Sequence, residues 1–245
     1  MIDNKDIIIK LAKKYNNPLY FENDPVIFGR FFLKKYTKNE ATLQDIEIAS
    51  LLCSHLAWGK RDLIVRDCTR LLNHMDWKPY DYIRRGLYRQ DDVSIHRTIK
   101  WSDIAKICYN LKEYYHNNNS LEKLSVDDIR EKIIGSKRDL NASNKKIHMF
   151  RRWMVRNDNI IDYGIWKNIK PADLIIPLDI HVHRSSIELK ITSRKSVNLI
   201  TAIEITNFLK SIFPNDPLLG DFALFAYAAH IGKKNINFEK EFLNL

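Results

Sequence analysis

The segment Ile175-Ile176-Pro177-Leu178-Asp179-Ile180-His181-Val182-His183-Arg184 holds an acid in apolar company, with two histidines and an arginine just beyond it. Burying a lone carboxylate costs several kcal/mol unless a partner or hydrogen bonds hold it. Asp179 therefore either starts a helix as its N-cap, carrying His181 and Arg184 onto that helix, or serves a site. A second concentration of charge lies upstream. Between Arg130 and Arg156 there are nine basic residues against two acidic ones. Drawn at ~100° per residue, the segment Lys145 to Arg156 puts Ile147, Phe150, Trp153 and Met154 on one side. Lys145, His148, Arg152 and Arg156 fall on the other, and Lys146 lies at the edge near Phe150 and Trp153. A basic face of this kind is either a solvated helix surface or, beside a dipole-positive helix N-terminus, a phosphate contact.

These residues need a scaffold, and the periodicity supplies an all-α one. Ile46, Ala49, Leu52 and Leu56 share a face; Leu63, Ile64, Leu71 and Leu72 continue after a break at Gly59. Asp103 to Tyr115 reads as a helix, and Ser125 caps Val126 to Ile134 with Asp127 and Asp128 in its first turn. Asn144 caps Lys145 to Arg156; helical patterns follow at 187–189, 197–209 and 221–231. Asp76 to Arg97 reads as turns and short helices, and Gly135 to Asn144 as a loop. The expected organisation is one unit over 1–245 with two helical lobes, 41–144 and 1–40 plus 145–245, and a cleft between them.

The chain has 245 residues, 45% of them hydrophobic, enough for a core. Forty Lys and Arg against thirty Asp and Glu give a net charge of +10, which points first to a polyanion such as nucleic acid. Cys53, Cys68 and Cys108 are too few for a disulfide framework, a four-cysteine zinc site or a four-cysteine iron–sulfur cluster. His74, His96 and His116 lack metal-ligand spacing, so neither metal nor other cofactor is expected. With no long apolar run and no signal-peptide pattern, the expectation is a soluble cytoplasmic protein, nucleoid-associated when acting, with no membrane contact.

The run Pro177-Leu178-Asp179-Ile180-His181, followed by Arg184, resembles the Asp-x-His signature of the helix-hairpin-helix DNA glycosylases, the superfamily of endonuclease III and 8-oxoguanine glycosylase. Asn144-Lys145-Lys146-Ile147-His148-Met149-Phe150 resembles the start of that family's nucleophile-bearing helix. Ala49 to Trp58 resembles its early helix, which ends in a residue that enters the DNA stack. Lys145 to Arg156, Ile165 to Arg184 and Phe213 to Phe225 are similar, more closely still, to a bacterial family described as a domain of unknown function. Two departures stand out: the Gly-x-Gly hairpin is missing, with only Gly135 ten residues before Lys145, and there is no C-terminal cysteine cluster.

The resemblance implies a base-excision enzyme acting on double-stranded DNA with a damaged base, including oxidised purines such as 8-oxoguanine, with no obligate protein partner. Asp179 would stabilise positive charge developing at the sugar C1′. A lysine amine would attack C1′ and form a Schiff base that permits strand cleavage. Lys145 takes the nucleophile's position in the matched pattern, while Lys146 lies nearer the aromatic side, where desolvation is stronger. Lys145 is preferred and Lys146 stays open. His181, Arg184, Arg152, Arg156 and His148 would meet DNA, and Arg194 and Lys195 would extend that track. A flipped base needs an aromatic and polar pocket, whose pool of candidates is Ser54, His55, Trp58, Trp166, Asp221, Phe222 and Phe225. The alternatives are a non-catalytic nucleic-acid-binding helical protein and a helical protein whose basic surface binds an acidic partner.

Overall fold

Thr42 and Asp45 close a capping box, each side chain accepting from the other's backbone amide, and start the helix on which the rest is built. The computed structural model describes residues 4–158 and 160–228. In chain order the helices are α1 (Asn4–Tyr15), α2 (Val26–Tyr36), α3 (Leu43–Leu56), α4 (Arg61–His74), α5 (Pro79–Arg85), α6 (Trp101–Asn117), α7 (Val126–Asp128), α8 (Lys145–Val155), α9 (Ile180–Glu188), α10 (Leu199–Lys210) and α11 (Leu219–Ala226). Among the described residues 58% are helical, so the helical class expected from periodicity holds. One small antiparallel hairpin modifies it: β1 (Ser94–His96), inside the stretch expected to hold turns and short helices, pairs with β2 (Ile99–Lys100) just beyond it.

Almost the whole of α3 is buried, from Asp45 to Ser54 and again at Leu56, because α2, α4, α5 and α8 all pack on it. A helix covered on every side must satisfy its own polar groups. Glu47, with no exposure, accepts from Tyr115 Oη (2.8 Å), Ser120 Oγ (2.6 Å), the Leu121 amide and Trp166 Nε1 (2.7 Å). Gly29 lets α2 approach α3: a Cβ there would collide with the Tyr163 hydroxyl and Ser50 Oγ. Gly59, at φ +104°, makes the turn that separates α3 from α4. The His96 ring bridges Asp67 Oδ2 and the Trp58 carbonyl oxygen, both at 2.8 Å, and ties the hairpin to that turn.

Elsewhere α1 packs on α11, and α11 in turn packs on α9. Ser125 caps α7 through a capping box, and the chain continues as a π-helical turn, Ile129–Ile133. Asn144 differs from expectation. It sits in the left-handed region at φ 45° with no side-chain cap, because its Oδ1 instead accepts from Arg130 Nη1 at 2.8 Å. The last expected helix, 221–231, corresponds to α11; residues 229–231 lie outside the described residues. No described helix is long and apolar enough to cross a membrane.

Candidate functional site

Asp179 is the N-cap of α9. Its Oδ1 accepts from the amides of His181 (2.9 Å) and Val182 (3.0 Å), which explains how a carboxylate tolerates apolar neighbours. It is half-buried, between buried Leu178 and exposed Ile180, and so stands at the surface edge of the core. His181 and Arg184 are exposed on α9; His183 is turned to the Arg194 carbonyl at 2.7 Å. Arg194 itself is taken by Glu204.

The basic face of α8 divides in two. Arg152 and Arg156 are 7% and 1% exposed, which corrects the expectation that they face DNA. Arg152 Nη1 meets Asp221 Oδ2 at 2.6 Å, and its Nε meets Asp162 Oδ1 at 3.3 Å. Arg156 Nη1 reaches Asp162 (2.7 Å) and Asp158 (2.9 Å), and its Nε reaches Asp216 (2.9 Å). Both guanidinium groups lie 4.9 Å from the centre of the Phe222 ring. Burial opposes the Arg152 charge, but Asp162 and Asp221 more than offset it, leaving its pKa above the ordinary value. His148 is also interior, and burial with Arg151 nearby holds its pKa at about 4, so it is neutral at pH 7. For the two arginines the reason is four aspartates from later in the chain, and for His148 it is packing around α8, neither of which a helical wheel contains.

The N-terminal end of α8 is different. Lys145 is half-buried and donates to the Ala57 carbonyl at 3.0 Å, so it lies against the α3–α4 turn and not on an open face. Lys146 lies 5.7 Å over the Trp58 ring, and burial, with Lys145 beside it, pushes its amine down to about 8. Arg97 stacks on the same ring at 4.0 Å. His55 is held neutral, its pKa at about 3, by burial and by Lys146. Two buried polar atoms here, His55 Nδ1 and Trp58 Nε1, have no hydrogen-bond partner among the described residues.

The other pocket candidates go to the core. Ser54 is buried with its hydroxyl donating to the Leu51 carbonyl; Trp166 is spent on Glu47; Asp221 and Phe222 belong to the arginine network. Phe225 is half-buried under the Arg61 guanidinium at 5.3 Å. Two surface concavities, one lined by His183, Ile187 and Lys190 and one by Trp77, Tyr80 and Arg84, include neither lysine nor Asp179. No group of three His, Cys, Asp or Glu among the described residues is arranged to hold a metal ion.

One residue escaped the sequence reading. Asp24, just before α2, accepts from the Val26 amide at 3.1 Å and lies 3.7 Å from Arg61 Nε. Burial raises its carboxyl, against the pull of Arg61, the Val26 amide, Arg152 and Lys145. Asp221, likewise raised by burial, feels Arg152 and then Asp179. Electrostatically the groups form a series, Lys145, Asp24, Arg152, Asp221 and Asp179, although neither lysine amine touches Asp179 directly among the described residues. The available signal was Asp24-Pro25 ahead of a helix, a common capping pattern that does not single itself out.

No curated protein and no solved structure matches this chain significantly. A family model does, over residues 24–142 and 130–230, which together contain Asp24, both lysines and Asp179. The chain belongs to the DUF2400 family, described as proteins of unknown function.

Proposed function

We propose that this protein is a base-excision DNA glycosylase with AP lyase activity, of the helix-hairpin-helix kind, acting on duplex DNA that carries a damaged base. The observation that carries the reading is the half-buried lysine pair at the start of α8, where desolvation and mutual repulsion have already brought Lys146 to about 8.

Lys145 is the nucleophile in this reading, because it lies on the side of Asp24 and the carboxylate series. Lys146 supplies the neighbouring positive charge and faces Trp58 and His55, whose unpartnered ring nitrogens suit the edge of an extruded base. As the glycosidic bond breaks, the Asp179 carboxylate stabilises the cation forming at C1′; Lys145 then adds to C1′, and the resulting Schiff base permits β-elimination. Exposed His181 and Arg184, on the same helix as Asp179, serve the DNA phosphates.

The test is incubation with duplexes carrying a panel of damaged bases and abasic sites, followed by strand-scission analysis with and without hot alkali. Cleavage without alkali supports the reading. Damaged-base strands left intact under both treatments, and abasic strands left intact until alkali is added, despite salt-sensitive duplex binding, would select a non-catalytic binding protein instead.

A further inference from the structure

The β1–β2 hairpin is tied down by its own backbone and presents one arginine. The His96 ring bridges Asp67 and the Trp58 carbonyl, and Arg70 donates to the carbonyls of Ser94 and Ile95. Ser94 Oγ donates to the Arg97 carbonyl at 2.7 Å. Arg97 stands at the tip in the left-handed region, at φ 53°, where hairpin turns usually hold glycine or asparagine. Its guanidinium lies 4.0 Å from the centre of the Trp58 ring. To reach it the side chain passes Gly59, where a Cβ would stand 2.6 Å from Arg97 Nη1. Gly59 therefore clears a path for the arginine as well as making the turn. Even so placed, Arg97 is exposed.

What this arginine lacks is an acid. Arg61, Arg89, Arg152 and Arg156 also lie over aromatic rings, and each of them meets a carboxylate. Arg97 makes the shortest stack of the five and meets none among the described residues; neither does Lys146, 5.7 Å over the same ring. Asp67, which holds the hairpin through His96, gives its other oxygen to Arg66 at 2.9 Å. Because both cations lie on one ring, their charges are within about 10 Å, a Debye length, of each other. A guanidinium held flat on an indole keeps its fork of donors aimed, and that fork matches a pair of anionic oxygens. We propose that Arg97 and Lys146 form a phosphate site on Trp58 that takes one backbone phosphate of DNA. The proposal rests on the DNA-binding part of the reading above, not on its chemistry. It gives the hairpin a binding role and leaves the indole edge to the base. The Arg97 fork fixes the phosphate, and Lys146 adds charge.

The experiment measures the affinity of the full-length protein for duplexes of several sequences, between about 50 and 200 mM salt. Arg97→Gln is expected to weaken binding by about three- to tenfold at low salt, equally on every sequence. It should also reduce the slope of log affinity against log salt by about one, the signature of one lost phosphate contact. An unchanged slope overturns the proposal, and so does a loss that varies with sequence, which would mark a base edge as the partner. Inorganic phosphate added at constant ionic strength should leave the difference between wild type and Arg97→Gln intact. Its erasure would assign the site to the free ion and overturn the backbone contact. If Arg97→Gln fails to fold, as judged by circular dichroism, Arg97→Lys carries the test, since it keeps the charge and loses the fork. A sequence-independent loss of about two- to threefold with the slope retained then supports the site, and wild-type affinity refutes it. Wild type that shows no salt-sensitive duplex binding defeats the DNA reading and this site with it. A wild type that binds, beside an indifferent Arg97→Gln, defeats the site alone.

Discussion

The two ends of α8 carry the same kind of charge and put it to opposite uses. At the C-terminal end, Arg152 and Arg156 are buried among Asp158, Asp162, Asp216 and Asp221, and every guanidinium contact has a carboxylate to receive it. At the N-terminal end, Lys145 and Lys146 are half-buried with no carboxylate in contact among the described residues, where the ring nitrogens His55 Nδ1 and Trp58 Nε1 also have no partner. Satisfied charge fixes the fold; unsatisfied charge marks the place where something else is expected to bind.

The contrast can be broken most forcefully at the arginine end. Arg156→Ala would leave Asp162 to Arg152 alone and take the arginine from Asp158 and Asp216, and is expected to cost about 3–5 kcal/mol, lowering the melting temperature by about 10 °C. A loss within about 0.5 kcal/mol by urea unfolding would mean that the network is a surface ornament.

The lysine end should respond in the other direction. The Lys146 amine falls from an unfolded value of ~10.4 to about 8 in the fold. Below pH 8 both states are protonated, and the folded state bears the whole cost of the buried cation. That cost is relieved as pH rises from about 8 to 10.4, because the unfolded chain holds the proton longer. Lys146→Met is therefore expected to stabilise the protein by about 2 kcal/mol near pH 7, with the advantage vanishing near pH 10. Destabilisation at neutral pH would erase the difference between the two ends.

His148 gives the smallest effect and sharpens the boundary between them. It stays neutral down to about pH 4 in the fold, while the unfolded ring protonates near ~6.5. Stability is lost as pH falls through that window, since the unfolded state takes up the proton first. His148→Phe should flatten this acid limb by about 1 kcal/mol per pH unit, a change visible in melting curves recorded at pH 7 and near pH 5.

What could be read from the sequence was local. The break at Gly59, the cap at Ser125 and the inward set Ile147, Phe150, Trp153 and Met154 all depend on residues a few positions apart, and each has its counterpart in the structure. Asp179 as a helix N-cap was legible for the same reason. Arg152 and Arg156 were misassigned to the surface because their partners Asp216 and Asp221 come from the far side of the chain, and a wheel scores a charge as solvated when its neutraliser is out of view. The hairpin at 94–100 was invisible because two very short strands have no period to detect; His96 is held there by Asp67 on α4. Asp24 was missed because its importance is a matter of tertiary neighbours alone.

The account stands or falls on which amine, if any, bonds to DNA. Wild-type protein reduced with borohydride on an abasic-site duplex should give a covalent complex whose peptide map places the modification on Lys145. Lys145→Gln should abolish that complex, and Lys146→Gln should weaken it by about tenfold. No covalent complex, or one mapped to an amine away from the start of α8, would contradict the assignment.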